Sequence, residues 1–329
     1  MDSRYNKRKE RKGRKKKRYR ILAVLLLLIF SVVGYSAYQY YEGTKMAKDE
    51  PTTLKKDYKF NGTKDANGKI NVLLLGIDSR GEQKSRSDTM IVAQYDPKTE
   101  QTKMVSLMRD MYVKIPGYQN YKLNTAFFLG GPELLRKTIK ENFGLDIQYY
   151  MIVDFKGFEK SIDTLAPEGI EINVEKEMSQ NIGVTLKPGV QKLHGKELLG
   201  YARFRHDAQG DFGRVARQQK VLEAVKEKVL SVGGVAKLPK MIGAVQPYYE
   251  TNMSKWNEIS LLKDVLFNND KKIKTLTVPV EGSYQNGYYS HAGAVLEVDF
   301  DKNRQAIQDF LNGKNQDGSS DSENSSDNQ

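Results

Sequence analysis

Ile70-Asn71-Val72-Leu73-Leu74-Leu75-Gly76-Ile77-Asp78 is an apolar run broken only by Asn71 and closed by a glycine and an acid. A run of this length without alternation suits a strand covered on both faces, which places helices on either side of its sheet. Downstream, Thr89–Tyr95 and Thr102–Met108 flank the turn residues Asp96-Pro97-Lys98 and read as a hairpin. Gly131-Pro132-Glu133 opens a helix through Asn142, with proline at the first helical position and Gly144 past the end. Met151–Val153, Gly169–Val174 and Thr275–Val280 are further strands. Phe155–Leu165, Lys196–Tyr201, Arg214–Leu230, Ser254–Phe267 and Lys302–Leu311 are further helices. Strands alternating with helices predict an α/β/α layered sandwich around a mixed central sheet.

Upstream of this unit the charge is lopsided. The chain carries 53 Lys and Arg against 41 Asp and Glu, and residues 1–20 alone hold twelve of the basic residues against Asp2 and Glu10. The excess therefore belongs to the tail, and a nucleic-acid surface on the folded unit is not expected. Residues 21–41 then run without a charge and end in Tyr35, Tyr38, Tyr40 and Tyr41. Such a run is long enough to cross a bilayer as a helix, with tyrosines at the interface. Basic residues precede it, so the N-terminus is expected in the cytoplasm and the rest outside. Residues 42–68 read as a stalk, 69–313 as the extracytoplasmic domain and 314–329 as a disordered polar tail. The chain has no cysteine, which favours a Gram-positive surface over a disulfide-forming secretory route.

The topology gathers charge at one sheet edge. The first strand ends at Asp78, and the hairpin runs from near Asp88 back to Arg109-Asp110, so these residues and Arg86 meet where open α/β sheets bind ligands. A second cluster reads Tyr201-Ala202-Arg203-Phe204-Arg205, then Asp211, Arg214, Arg217 and Gln218. An extended backbone would aim Arg203 and Arg205 to one side. Arg214, Arg217 and Gln218 share one face of a helix opening after Gly213. Guanidinium forks bind phosphate oxygens bidentately, and two isolated carboxylates among them suit a hard divalent cation, magnesium or manganese. Taken singly, each pair could be an ordinary surface salt bridge. The convergence of all of them is what points to a site.

These two clusters behind a membrane anchor resemble the LytR-CpsA-Psr family of Gram-positive envelope enzymes. The resemblance implies an α/β/α sandwich with an apolar pocket for a polyprenyl tail. It also implies a phosphotransferase that moves a glycopolymer, such as wall teichoic acid or capsular polysaccharide, from undecaprenyl pyrophosphate to peptidoglycan. On that resemblance Asp78 and Asp88 are the metal carboxylates. Arg86, Arg109, Arg203, Arg205, Arg217 and Gln218 are pyrophosphate contacts, and Asp211 orients the arginines. Arg80, Asp110, Lys122, Asn124 and Arg214 are supporting residues. Asp78, Asp88 and Asp110 each remain open as the base that deprotonates the attacking hydroxyl. Met108 and His194 depart from common family patterns but carry no charge needed for the chemistry.

Three widely separated histidines, His194, His206 and His291, exclude a zinc site or histidine triad. Trp256 reads as a packing residue, and core packing is the simpler reading for Phe127, Phe128, Phe155 and Phe158. Competing functions are a polyprenyl pyrophosphate phosphatase using the same site, a membrane-bound transcriptional regulator and a wall-binding module with exposed aromatics.

Overall fold

The computed structural model describes residues 2–47, 58–78, 87–267 and 273–313. In chain order the elements are α1 (Asp2–Ala47), β1 (Ile70–Ile77), β2 (Ser87–Asp96), β3 (Gln101–Leu107), β4 (Tyr112–Val113), β5 (Tyr121–Lys122), α2 (Leu123–Phe143) and β6 (Tyr149–Asp154). They continue with α3 (Phe155–Leu165), β7 (Ile170–Val174), β8 (Gly189–Leu193), α4 (Gly195–Arg203), α5 (Gly210–Leu230), α6 (Val232–Val245) and β9 (Tyr249–Thr251). The last are α7 (Lys255–Phe267), β10 (Lys274–Val278), β11 (Tyr284–Tyr289), β12 (Gly293–Val298) and α8 (Phe300–Asn312).

The central sheet is six-stranded and mixed, in the order β10-β3-β2-β1-β6-β9. β1 runs parallel to β6 and β3 to β10, while the other pairs are antiparallel. One sheet face sends Leu73, Leu75, Met90 and Val105 into a core with Leu135, Ile139 and Phe143 of α2 and Ile307 of α8. The opposite face is covered by α3, α4 and α5, which share a second core with β7 and β8. Asn71, the polar interruption in β1, is buried but satisfied. Its amide donates to the Asp146 carbonyl at 2.7 Å and accepts from Gln94 at 3.0 Å.

Helix α1 continues past both ends of the uncharged run, and an apolar stretch over Ala23–Met46 meets the length for a membrane span. Its C-terminal end lies against α6 at a glycine crossing. A Cβ on Gly43 would lie 2.0 Å from the Lys240 carbonyl oxygen, and one on Gly243 would lie 2.4 Å from that of Tyr40. The Tyr40 hydroxyl donates to Gln246 Oε1 at 2.5 Å beside this crossing. Only small residues permit so close an approach.

The expected stalk differs from what is found. Residues 48–57 lie outside the described residues, as does the tail 314–329, but 58–68 are packed on the domain. Tyr58 and Phe60 pack against Tyr150, and Thr63 N–H donates to the Ile147 carbonyl at 2.8 Å. Two aromatics in a polar stretch are enough to bind it to an apolar surface. α2 also begins nine residues before Pro132, and its backbone breaks at Gly130 and Gly131. Gly131 has φ +63°, and the Tyr58 ring occupies the space a side chain would need. Trp256 is 83 % exposed and is not a core residue.

Candidate active site

β1 and β2 pair in register up to Gly76–Thr89, and the next pair is Ile77–Ser87, so Asp88 has no residue opposite it. This bulge bends β2 and re-aims Asp88. The fully buried Ser87 hydroxyl pins the bend by donating to the Thr89 carbonyl at 2.7 Å. Asp78 directly follows β1, and Arg109 lies two residues past the end of β3. Strand pairing thus brings together residues far apart in sequence.

Arg109 is the hub. It forms a short ion pair with Asp88 and further contacts with Asp110 at 3.4 Å and Asp211 at 3.6 Å. Burial opposes its charge, but the three carboxylates outweigh burial and raise its pKa above the ordinary arginine value. Asp110 is also bonded by Lys122 at 2.9 Å. Burial pushes its carboxyl up, and the Lys122 and Arg109 charges override that and hold it below the usual range. Asp211 takes the Arg214 guanidinium at 2.9 Å. Burial lowers the Arg214 pKa, and its Nε has no hydrogen-bond partner among the described residues. A buried cation with an idle donor is suited to an anion.

These charges border a cavity of about 440 Å³ between the sheet and α3–α4–α5. Asp88, Arg109, Arg203, Arg205, Arg214 and Gln218 line it, together with Leu74, Ile91, Met151, Val153, Phe155, Phe158, Val221 and Leu222. Arg203 reaches Asp78 at 3.4 Å and lies 4.7 Å over the Phe155 ring. Gln218 donates to Thr89 Oγ1 at 3.0 Å. Phe155 and Phe158 therefore face the cavity, while Phe127 is core. Sequence reasoning missed Gln180 and Asn181, which line the cavity, Asn181 bonding His206 at 2.8 Å. No motif surrounds Asn181 that could have revealed it.

Other expected residues fall differently. Arg80 and Arg86 lie outside the described residues. Arg203 is not in extended chain but is the last residue of α4. Arg217 does not line this cavity. Its guanidinium donates to the Phe204 carbonyl at 2.7 Å and to Asp207 at 3.0 Å behind the loop that carries Arg205. Asn124 is buried, and its N–H reaches the Arg109 carbonyl at 3.3 Å. Among the described residues no three of His, Cys, Asp and Glu group as a metal cluster. Asp78 and Asp88 offer the two hard carboxylates with which magnesium typically binds when water and substrate phosphate complete its shell.

The fold is thus a mixed α/β/α sheet with an arginine-rimmed, largely apolar cavity at its strand ends. The chain belongs to the LytR_cpsA_psr family, whose pattern matches residues 35–307. It is 46 % identical over 280 residues to Regulatory protein MsrR of Staphylococcus aureus (strain COL), covering 85 % of each chain. It is 35 % identical over 228 residues to the Polyisoprenyl-teichoic acid--peptidoglycan teichoic acid transferase TagU of Enterococcus faecalis, covering 68 % of this chain and 74 % of that one. The crystal structure of TagV from B. subtilis superposes with a TM-score of 0.61 at 29 % identity, covering 74 % of this chain and 97 % of that chain.

Proposed function

We propose that this protein is a membrane-anchored phosphotransferase. It moves an anionic glycopolymer, wall teichoic acid or a capsule-like polysaccharide, from undecaprenyl pyrophosphate to a peptidoglycan hydroxyl. The observation that carries this reading is a cavity that joins four arginines to an apolar chamber. That combination fits a lipid tail with a pyrophosphate head. The apolar wall takes the tail, and Arg109, Arg203, Arg205 and Arg214 take the phosphate oxygens. The acceptor hydroxyl attacks the sugar-side phosphorus. Its oxygen forms the new P–O bond, the bridging P–O bond breaks, and polyprenyl phosphate leaves. We assign Asp110, beside Lys122 and Arg109, as the carboxylate that receives the hydroxyl proton. The arginines stabilise charge as it shifts to the departing phosphate, so catalysis is mostly electrostatics and positioning. Asp78 and Asp88 would hold magnesium or manganese, which when bound would neutralise further phosphate charge. The apolar helix α1 anchors the enzyme, with residues 1–20 in the cytoplasm and the domain outside.

The test is transfer from a lipid-linked oligosaccharide to peptidoglycan oligomers, with and without magnesium. Wild type should transfer only with the metal, and Asp78→Ala or Asp88→Ala should remove most turnover. Phosphate release that is indifferent to the acceptor would replace the transferase with a pyrophosphatase. A transcriptional regulator would need a folded nucleic-acid-binding domain at residues 1–20, and residues 2–20 hold no aliphatic side chain with which to fold one.

A further inference from the structure

The ion-pair chain Arg109–Asp110–Lys122 continues from the cavity to a group of aromatic rings that the donor site does not use. Lys122 stands directly across the β4–β5 ladder from Tyr112, a spacing of about 5 Å between Cβ atoms. Tyr112 stacks on Tyr289 of the β11–β12 hairpin, with ring centroids 4.2 Å apart and planes within 11°. His291 at the hairpin tip is exposed. Its Nε2 lies 3.3 Å from the Tyr112 hydroxyl, and its ring is 5.5 Å from that of Tyr121. The hairpin is fastened to the reacting end of the site, because Leu296 N–H donates to the Asp110 carbonyl at 2.9 Å. Tyr112, Tyr289 and His291 all lie outside the buried core.

A donor tail occupies the cavity in the reading above, so an acceptor must approach the phosphorus from outside it. The Asp110–Lys122 side leads to these flat rings, whose polar edges are held in place by the domain: Tyr289 donates to Glu297 at 2.8 Å and His291 Nε2 lies 3.2 Å from the Asn120 carbonyl. Pyranose rings present flat C–H faces that stack on aromatic faces. Holding the sugar next to the attacking one would fix the hydroxyl near the phosphorus, the geometry that group transfer rewards. We propose that Tyr112, Tyr289 and His291 form the acceptor platform, stacking an amino sugar of the glycan strand beside the one that is phosphorylated. This rests on the transferase reading.

The test uses full-length protein in nanodiscs and a peptidoglycan tetrasaccharide of alternating N-acetylglucosamine and N-acetylmuramic acid. Binding is followed by ligand NMR line broadening, and transfer by acceptor kinetics. His291→Ala and Tyr289→Ala should each raise the acceptor KM at least tenfold, with kcat at saturating acceptor within about threefold of wild type. Tyr289→Phe, which keeps the ring, should stay within about threefold in KM. Because His291 is exposed, its variant keeps the test valid even if Tyr289→Ala disturbs the hairpin. Tetrasaccharide binding that is absent in wild type, or equal in wild type and His291→Ala, would overturn the platform and leave the rings as hairpin packing. Binding that is lost in the variants while wild type transfers to no acceptor would keep the platform and remove the transferase reading.

Discussion

Arg217 and Asp207 form an ion pair of 3.0 Å with side chains only 6 % and 4 % exposed, on the far side of the loop that carries Arg205 into the cavity. The same guanidinium donates to the Phe204 carbonyl at 2.7 Å, so it supports the loop and does not contact its ligand. Removing the guanidinium leaves Asp207 only Lys176 at 3.5 Å and the N–H groups of Gln209 and Gly210 at 3.1 Å, so the cost approaches but stays below that of a fully stranded buried charge, about 3–5 kcal/mol. Arg217→Ala should therefore lower the urea midpoint sharply, whereas Arg203→Ala should leave it nearly unchanged and abolish turnover. Equal stability losses in the two would erase the distinction between support and ligand contact.

Arg109 and Arg203 line the cavity, and each holds a carboxylate. An ammonium keeps the charge but cannot reproduce a planar two-pronged fork. Arg109→Lys and Arg203→Lys should fold and yet lose about ten- to a hundredfold in kcat/KM, matching one charge-assisted bond of about 1.5–3 kcal/mol. A polyprenyl pyrophosphate ligand should raise the Tm of wild type more than that of either variant. Full activity in both at subsaturating donor would reduce these contacts to ordinary salt bridges.

The sequence was most legible where chemistry and periodicity coincide. β1 starts and stops at the ends of its apolar run, and α3 spans the range expected of it. Hairpin geometry gathers Asp88 and Arg109, while α4 and α5, packed on the sheet, bring Arg203 to Asp78 and Asp211 to Arg109. Arg217 shows where periodicity fails. On a helix of 3.6 residues per turn, Arg214 and Gln218 are about 40° apart and Arg217 is about 60° to the other side of Arg214. That arc is narrow enough to look like one face and wide enough to point one arginine elsewhere. α6 was illegible because Gly233, Gly234 and Pro239 read as breakers. β11 was missed because Tyr284–Tyr289 lacks the apolar alternation of a half-buried strand.

Glu133 gives the fold a pH-dependent clasp. It takes two bonds from Arg136, at 3.0 and 2.8 Å, and one from Asn61 N–H at 3.0 Å, tying the incoming chain to α2. Burial pushes its carboxyl up, but these donors prevail and hold it down at about 2. A carboxyl depressed in the folded state contributes fully above its unfolded pKa of about 4.3, and that contribution is lost as pH falls through the folded value. Wild type should therefore lose more stability than Glu133→Gln between pH 5 and pH 2, by about one pH-dependent group. Parallel urea midpoints for the two across that window would show that the clasp contributes nothing.

The glycine crossing between α1 and α6 predicts a different loss, one of position and not of chemistry. α6 packs on α3, and α3 supplies Phe155 and Phe158 to the cavity wall. At Gly157 of α3 a Cβ would lie 2.4 Å from that of Tyr248, just past α6, so this contact is tight as well. The anchor is thereby joined to the cavity through close-packed helices that leave little slack. Gly243→Leu places a branched side chain against the Tyr40 carbonyl and must push the helices apart. In nanodiscs this variant should turn over a long-chain donor embedded in the bilayer at least fivefold more slowly than wild type. A water-soluble short-chain donor, which needs no alignment with the membrane, should be used at a rate within twofold of wild type. Hydrogen exchange should show faster exchange at the C-terminal end of α1 and along α6, with β1–β3 unchanged. An equal loss on both donors would mean that the crossing supports the fold of the domain, and no loss on either would mean that the anchor only tethers it.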